Sequence, residues 1–415
     1  MFTQRTTTRK MNRSSIFKKK IDFKKSSGSY LFDKNTNDNY LDFFGQYSSL
    51  AIGYNHPIFK SSSYIEDINR VAHQKITNCE IFSDESMEFD KSFREFTSND
   101  NFEYYHYCCT GALAIESAIK TAMDYKGEGF QKVISFKKSF HGINGYGGIF
   151  TDRFNPVNKR LDGFPGSYWK RFNNPVIDYK DNSAVIDKNF VESVLDDIED
   201  SIKKDKDVCA ILVEPIQCTY GDRYFPKIFF SGLRNISDNY DIPLIFDEIQ
   251  IGFAVTGKLW YYEKIGIEPD ILVYGKKTQL SGIAVKKKFG KIFNNSIRLE
   301  VTWDADIIDM IRCKYIMDVY KKNNILNHVM SVSDYFKEEL SKIKKLKNLR
   351  NSGLLFAFDF SSRIERDCFV EFLHKNKMLC NPTGEKSIRL RPNLCVSKSE
   401  INIALEIITN FYNTI

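Results

Sequence analysis

The chain has 415 residues, enough for two or three domains around a large core. With 42% hydrophobic and 27% charged residues it cannot be a fully disordered chain, and no stretch of about 18 uncharged apolar residues is present to cross a bilayer. The net charge of +7 invites a nucleic-acid reading until it is located: residues 1–27 hold nine basic residues against Asp22 alone, while the remainder holds 51 basic against 52 acidic. The body is therefore neutral and no nucleic-acid partner is expected. The tail is rich in Ser and Thr and lacks the apolar core of a secretory signal. It reads as a solvated, disordered extension on a cytoplasmic protein, with organellar targeting left open. Nine cysteines without a C-x-x-C pair suggest reduced thiols, and no metal site is expected.

In chain order, Gly28 to Asp33 and Tyr40 to Phe44 read as a hairpin about a polar turn, Asn35 to Asn39. Residues 104–108 read as a strand. Thr110-Gly111 then opens a helix with Ala112, Ile115, Ala118, Ile119 and Ala122 on one face. Lys132 to Phe136 is a strand, residues 138–182 read as long loops, and 189–204 as an amphipathic helix. An alternating block follows, with strands at Val208–Val213, Pro243–Phe246 and Ile271–Tyr274 and a helix at Ile228–Tyr240. Near-continuous apolar strands between helices predict a parallel sheet covered on both faces. Beyond about residue 305 come two helices, a strand at 354–360, a helix, a strand at 388–390 and a final helix. The expected division is a tail (1–27), a large domain (61–304), and a small α+β domain built from both ends (28–60 and 305–415).

Three predicted strands end in polar residues: Glu214, Asp247 and Lys276. Ligands in open parallel sheets bind beyond the carboxyl ends of the strands. A solvated strand end is the ordinary fate of each residue alone; three on successive strands point to a site. A lysine placed there is costly to bury as a cation, so its amine can become a nucleophile. An opposed aspartate can keep a heterocyclic nitrogen protonated. A Schiff-base lysine with a pyridinium-facing acid is what pyridoxal 5'-phosphate (PLP) chemistry requires. Free amides at Thr110-Gly111-Ala112 can take a phosphate at a helix N-terminus. Phe140 can supply a flat face for a ring, and His141 beside it could equally be a satisfied loop histidine.

Gly111-Ala112-Leu113-Ala114-Ile115-Glu116, Phe140-His141-Gly142, Glu214-Pro215-Ile216-Gln217, Phe246 to Gly252 and Gly275-Lys276-Lys277-Thr278-Gln279 together resemble the class III PLP-dependent aminotransferases. The Gly-Lys-Lys-Thr-Gln block, Thr302-Trp303 and Arg389-Leu390-Arg391-Pro392 resemble the lysine 6-transaminases among them. The resemblance implies a fold-type-I α/β enzyme with a large parallel-sheet domain and a small domain from both chain ends. It implies a homodimer with shared active sites, acting on a small amine donor and 2-oxoglutarate or glutamate. Lys276 would hold PLP and shuttle the proton. Asp247 would bond the pyridine nitrogen, Gln250 the ring hydroxyl, and Gly111 and Ala112 the phosphate, with Phe140 stacked on the ring beside His141. Thr302 would reach the phosphate from the other subunit. Arg391 would clamp a substrate carboxylate in a pocket that also includes Glu214. Lys277 is the rival for PLP; the family match selects Lys276.

Two departures stand out. Where lysine 6-transaminases carry an arginine for the substrate α-carboxylate, this chain has Ile143. Where they carry a glutamate that masks the clamping arginine, it has Thr219. Losing a charge-assisted contact of that kind removes about 1.5–3 kcal/mol. Arg153, Lys159 or Arg171 in the rewritten loop could compensate. The expected activity is transfer of an amino group, read as a terminal one, to 2-oxoglutarate, with L-lysine a poor donor. The alternatives are a transaminase for another amine or amino-sugar precursor, and a PLP-binding scaffold without turnover.

Overall fold

The structure, a computed structural model, describes residues 18–97, 101–152, 163–164, 166, 169–180, 182–295 and 298–414. Residues 18–27 fold back on the hairpin formed by β1 (Tyr30–Asp33) and β2 (Asp38–Asp42). The Lys19 ammonium pairs with Asp33 at 3.2 Å, and the Lys20 amide donates to the same carboxylate at 2.8 Å. The described order thus begins at least ten residues before Gly28. Of the tail, residues 1–17 lie outside the described residues, as do Arg153 and Lys159.

The large sheet contains β3 (Tyr104–Cys108), β4 (Lys132–Phe136), β5 (Arg171–Phe172), β6 (Val208–Val213), β7 (Leu244–Asp247), β8 (Ile271–Tyr274) and β9 (Ser281–Val285). Among the described residues its order is β3-β9-β8-β7-β6-β4-β5. Only β9 runs against the others, pairing antiparallel with both β8 and β3. Strand side chains alternate between two apolar clusters. Ile211, Val213, Leu244, Phe246 and Leu272 face the cluster that takes in helices Lys188–Lys204 and Lys227–Asn239. Leu212, Ile245, Ile271 and Val273 face the opposite cluster with helix Gly111–Lys126. Burial on both faces explains why these strands read as continuous apolar runs rather than alternating ones. The strand β9, which the sequence reading passed over, follows the turn that carries Lys276 and is inserted between β8 and the edge strand β3.

A second, antiparallel sheet joins β10 (Lys347–Ser352), β11 (Leu355–Asp359), β13 (Asn381–Thr383) and β14 (Ser387–Leu390) in the order β10-β11-β14-β13. Helices Ile325–Ser341, Arg363–Lys375 and Lys398–Thr414 lie in sequence around these strands. Between β11 and β13 in sequence, β12 (Met378–Leu379) leaves this sheet and pairs parallel with β2. The two ends of the chain therefore share one sheet. Within the segment read as loops, Gly145–Phe150 is a short helix and Arg171–Phe172 is the edge strand β5. Among the described residues, no helix is long and apolar enough to cross a membrane.

Candidate active site

The carboxyl ends of β6, β7 and β8 open onto a cavity of about 410 Å³. Glu214 follows the last residue of β6, Asp247 ends β7, and Lys276 lies two residues beyond β8. All three line the cavity, together with Phe140, His141 and Gln250 and with Gly111 and Ala112 at the start of a helix. These are the eight residues that the sequence points to, drawn from five separate stretches.

Asp247 is held from two directions. The Ile249 amide donates to Oδ1 at 3.1 Å, and His141 Nδ1 lies 2.8 Å from Oδ2. An ionised Asp247 places the shared hydrogen on Nδ1. His141 is therefore not a loop bystander: it orients the acid. Its Nε2 is buried with no hydrogen-bond partner, and so is Gln250 Oε1. Phe140 is fixed by its backbone, whose N–H donates to Glu214 Oε1 at 2.7 Å. Burial, followed by the neighbouring charge of Asp247, pushes the Glu214 carboxyl well above the usual carboxylate range.

The strand before Lys276 ends at Tyr274, so alternation along a strand does not sort the two lysines. Lys276–Thr278 is a single 3-10 turn, with Lys276 at φ +58°. In that turn Lys276 faces the cavity, whereas the Lys277 amine is buried and donates to the Gln250 carbonyl at 2.8 Å. Burial lowers the Lys276 pKa to about 8, and the Arg389 charge adds to the shift. Lys277 is pushed down as well, by burial and then by Lys276. At Gly111 a Cβ would lie 2.9 Å from Ile249 Cδ1, so the backbone approaches the cavity where a side chain would crowd it.

The class III aminotransferase family model matches residues 12–411. The chain belongs to the class III aminotransferases. It is 28% identical to the L-lysine-epsilon aminotransferase of Mycobacterium tuberculosis, over 93% of this chain and 90% of that one. It is 31% identical to the 4-aminobutyrate aminotransferase of Kluyveromyces lactis, over 93% and 88%. Among solved structures, the lysine aminotransferase of M. tuberculosis in its internal aldimine form superposes with a TM-score of 0.90 at 26% identity, covering 96% of this chain and 95% of that one. A transaminase from the marine bacterium Virgibacillus shares the fold, with a TM-score of 0.80 at 17% identity. This is a PLP-dependent transaminase of fold type I.

The residues present in this aminotransferase suit the cofactor. A buried lysine with a lowered pKa, an aspartate supported from both sides, an orphaned Gln250 oxygen and an uncrowded helix N-terminus line one cavity. Other expected site residues are placed differently. Arg391 does not line the cavity: it is 1% exposed, its guanidinium pairs with the buried Asp222, and Nη1 donates to the carbonyls of Phe356 and Leu390. A substrate carboxylate would have to displace Asp222 to reach it. Arg389, two residues earlier, is likewise buried behind the cavity lining; it donates to the Cys218 carbonyl at 2.9 Å, and unlike Arg391 its charge acts on both Lys276 and Glu214. It was legible in the same Arg-Leu-Arg block but could not be told from its neighbour without β14 in place.

Ile143, beside the cavity-lining Gly142, is 59% exposed. Thr219 is buried in the turn Cys218–Tyr220 and its Oγ1 has no hydrogen-bond partner. Thr302 lies outside the cavity lining, on an exposed segment whose carbonyl accepts from the Asn78 amide at 3.3 Å. Arg171, offered as a compensating cation, donates to the Ile149 carbonyl and lies 3.9 Å from Asp152. Two further lining residues were not anticipated: the Gln279 amide donates to the Ser49 carbonyl at 3.2 Å, bringing the N-terminal segment to the site.

Proposed function

We propose that this aminotransferase moves a terminal amino group from a small amine donor to 2-oxoglutarate, giving an aldehyde or ketone and glutamate. The carrying observation is that the two kinds of curated relative described above are both named for amines at a chain end, an ε-amine and a 4-amine. PLP supplies the electron sink that makes the carbon next to the amine acidic. Lys276 takes that proton and returns it, which suits an amine titrating near neutrality. Asp247, oriented by His141, holds positive charge on the ring nitrogen. Gln250 bonds the ring hydroxyl, Phe140 covers the ring face, and the amides of Gly111 and Ala112 hold the phosphate. Arg389, rather than Arg391, receives a substrate carboxylate. The working form is a homodimer in which Thr302 of one subunit reaches the phosphate site of the other.

Ile143 and Thr219 favour a donor other than L-lysine. Ile143 offers no charge to an α-carboxylate, and Thr219 offers none to mask an arginine. A screen of amine donors against 2-oxoglutarate, read as glutamate formed, tests this. The expected outcome is a donor that exceeds L-lysine by at least about tenfold in kcat/KM. The double variant Ile143→Arg, Thr219→Glu should narrow that gap. Ordinary turnover of L-lysine at micromolar KM by the natural chain would sink the specificity reading and leave a plain lysine ε-transaminase.

A further inference from the structure

Val213 of β6 is the register partner of Phe246 of β7. The next residues, Glu214 and Asp247, therefore leave adjacent parallel strands side by side, about 4.8 Å apart in backbone. Glu214 is 7% exposed and Asp247 6%, and both line one cavity. Two carboxylates so placed cannot both ionise without strong repulsion.

Their supports are unequal. Asp247 has a donor at each oxygen, His141 and the Ile249 amide. Glu214 has the Phe140 amide at Oε1, and no ion pair reaches it among the described residues. The charges facing Glu214 are Asp247 at the end of β7, Lys276 from the turn after β8 and Arg389 from β14; the last two favour its ionised form.

We propose that Glu214 and Asp247 share one proton, carried by Glu214, so that the negative charge of the site is confined to Asp247. Glu214 is then a positioning residue. Its Oε1 accepts from the Phe140 amide, a bond that favours the ionised form but that burial and the Asp247 charge outweigh, and it presents an O–H to the cavity. Burial and the Asp247 charge act in the direction this requires. A further consequence rests on the acceptor proposed above: a carboxylate drawn toward Arg389 does not meet a second anion beside Asp247.

The test is an infrared difference spectrum between the PLP-loaded natural protein and its Glu214→Gln variant at pH 7. The variant keeps a carbonyl for the Phe140 amide, and the subtraction removes other buried acids. A protonated-carboxyl stretch present in the natural protein and missing from the variant is expected. In Asp247→Asn the pH at which that band disappears should fall by roughly one unit or more, since a like charge has been removed. No Glu214-dependent band at pH 7, or an unmoved midpoint in Asp247→Asn, overturns the shared proton. If Glu214→Gln does not fold, the same titration of ¹³C-glutamate-labelled natural protein against Asp247→Asn decides. In kinetics, KM for 2-oxoglutarate should rise above that midpoint in the natural protein and stay flat in Glu214→Gln; a flat KM in both overturns the consequence for substrate. A protein that shows the band but gives no glutamate from 2-oxoglutarate overturns the acceptor and leaves the shared proton standing.

Discussion

Lys276 shows how one turn decides a role. The two lysines are adjacent, both are buried, and both lose affinity for a proton through burial. They differ in direction: one faces the cavity and the other is tied to the Gln250 carbonyl. Borohydride reduction of the PLP-loaded protein should therefore label Lys276, with peptide mapping to locate it; a label on Lys277 would contradict the assignment. The sign of the pH effect follows from the lowered pKa. The reactive amine is the neutral form, whose fraction rises with pH through about 8 and levels off above it. The rate at which the cofactor-free protein captures added PLP should follow that curve in a stopped-flow series. A rise delayed to the range of an ordinary lysine would show that burial does not tune this amine.

At the scale of elements, the turn Cys218–Tyr220 and its flanks are fastened to the small sheet. Arg350 on β10 donates to the carbonyls of Gly221 and Asp222, Thr383 on β13 donates to the Cys218 carbonyl at 3.1 Å, and Arg391 pairs with Asp222. Removing one partner of a buried pair leaves an uncompensated charge and destabilises by about 3–5 kcal/mol. Arg391→Met should lower the midpoint of denaturant unfolding by an amount on that scale. Arg389→Met should instead raise KM for 2-oxoglutarate about ten- to a hundredfold, the worth of a charge-assisted contact. The reverse pattern would return the clamp to Arg391. A second element bears strain: Gly45, Gln46, Tyr47 and Ser48 all have positive φ, between 51° and 71°. Such a left-handed run is unfavourable by roughly 1–2 kcal/mol per non-glycine residue. Asp42 holds it, accepting from the Phe44 and Gly45 amides at 2.9 and 2.8 Å and from the Tyr54 hydroxyl at 2.5 Å. A Cβ on Gly45 would stand 2.1 Å from the Arg391 carbonyl oxygen. Gly45→Ala should therefore destabilise by more than about 1 kcal/mol, measured by urea unfolding; a neutral result would mean the turn relaxes freely.

For the whole molecule, apolar groups gather outside the mouth of the site. Leu113, Ile143, Val301 and Trp303 are between 42% and 59% exposed. The Cys109 thiol, at the cavity wall, donates to the Trp303 carbonyl at 3.3 Å, which places the Thr302 segment beside that mouth. In the homodimer proposed above, a second copy of the chain would cover these side chains and bring Thr302 to its neighbour's proposed phosphate site. Light scattering should give about twice the 48.3 kDa chain mass, and Trp303→Glu should lower both the mass and PLP retention. An active monomer would remove the shared site.

Sequence alone determined the parallel strands of the large sheet and the end at which a ligand sits. Apolar runs ending in Glu214, Asp247 and Lys276 fix both a doubly covered parallel sheet and the edge where a ligand must sit, because burial on two faces and polarity at one end leave few other folds. The turn proposed for the phosphate was legible for the same local reason: a capped helix start, with Thr110 Oγ1 accepting from the Leu113 amide at 3.4 Å. Tertiary structure decided the rest. His141 reaches Asp247 across 106 positions, β9 slots antiparallel between β8 and β3, and Arg389 and Arg391 part company only when β14 meets the Cys218–Asp222 segment. Those outcomes depend on which buried polar group finds which partner, and a partner distant in sequence leaves no local pattern to read.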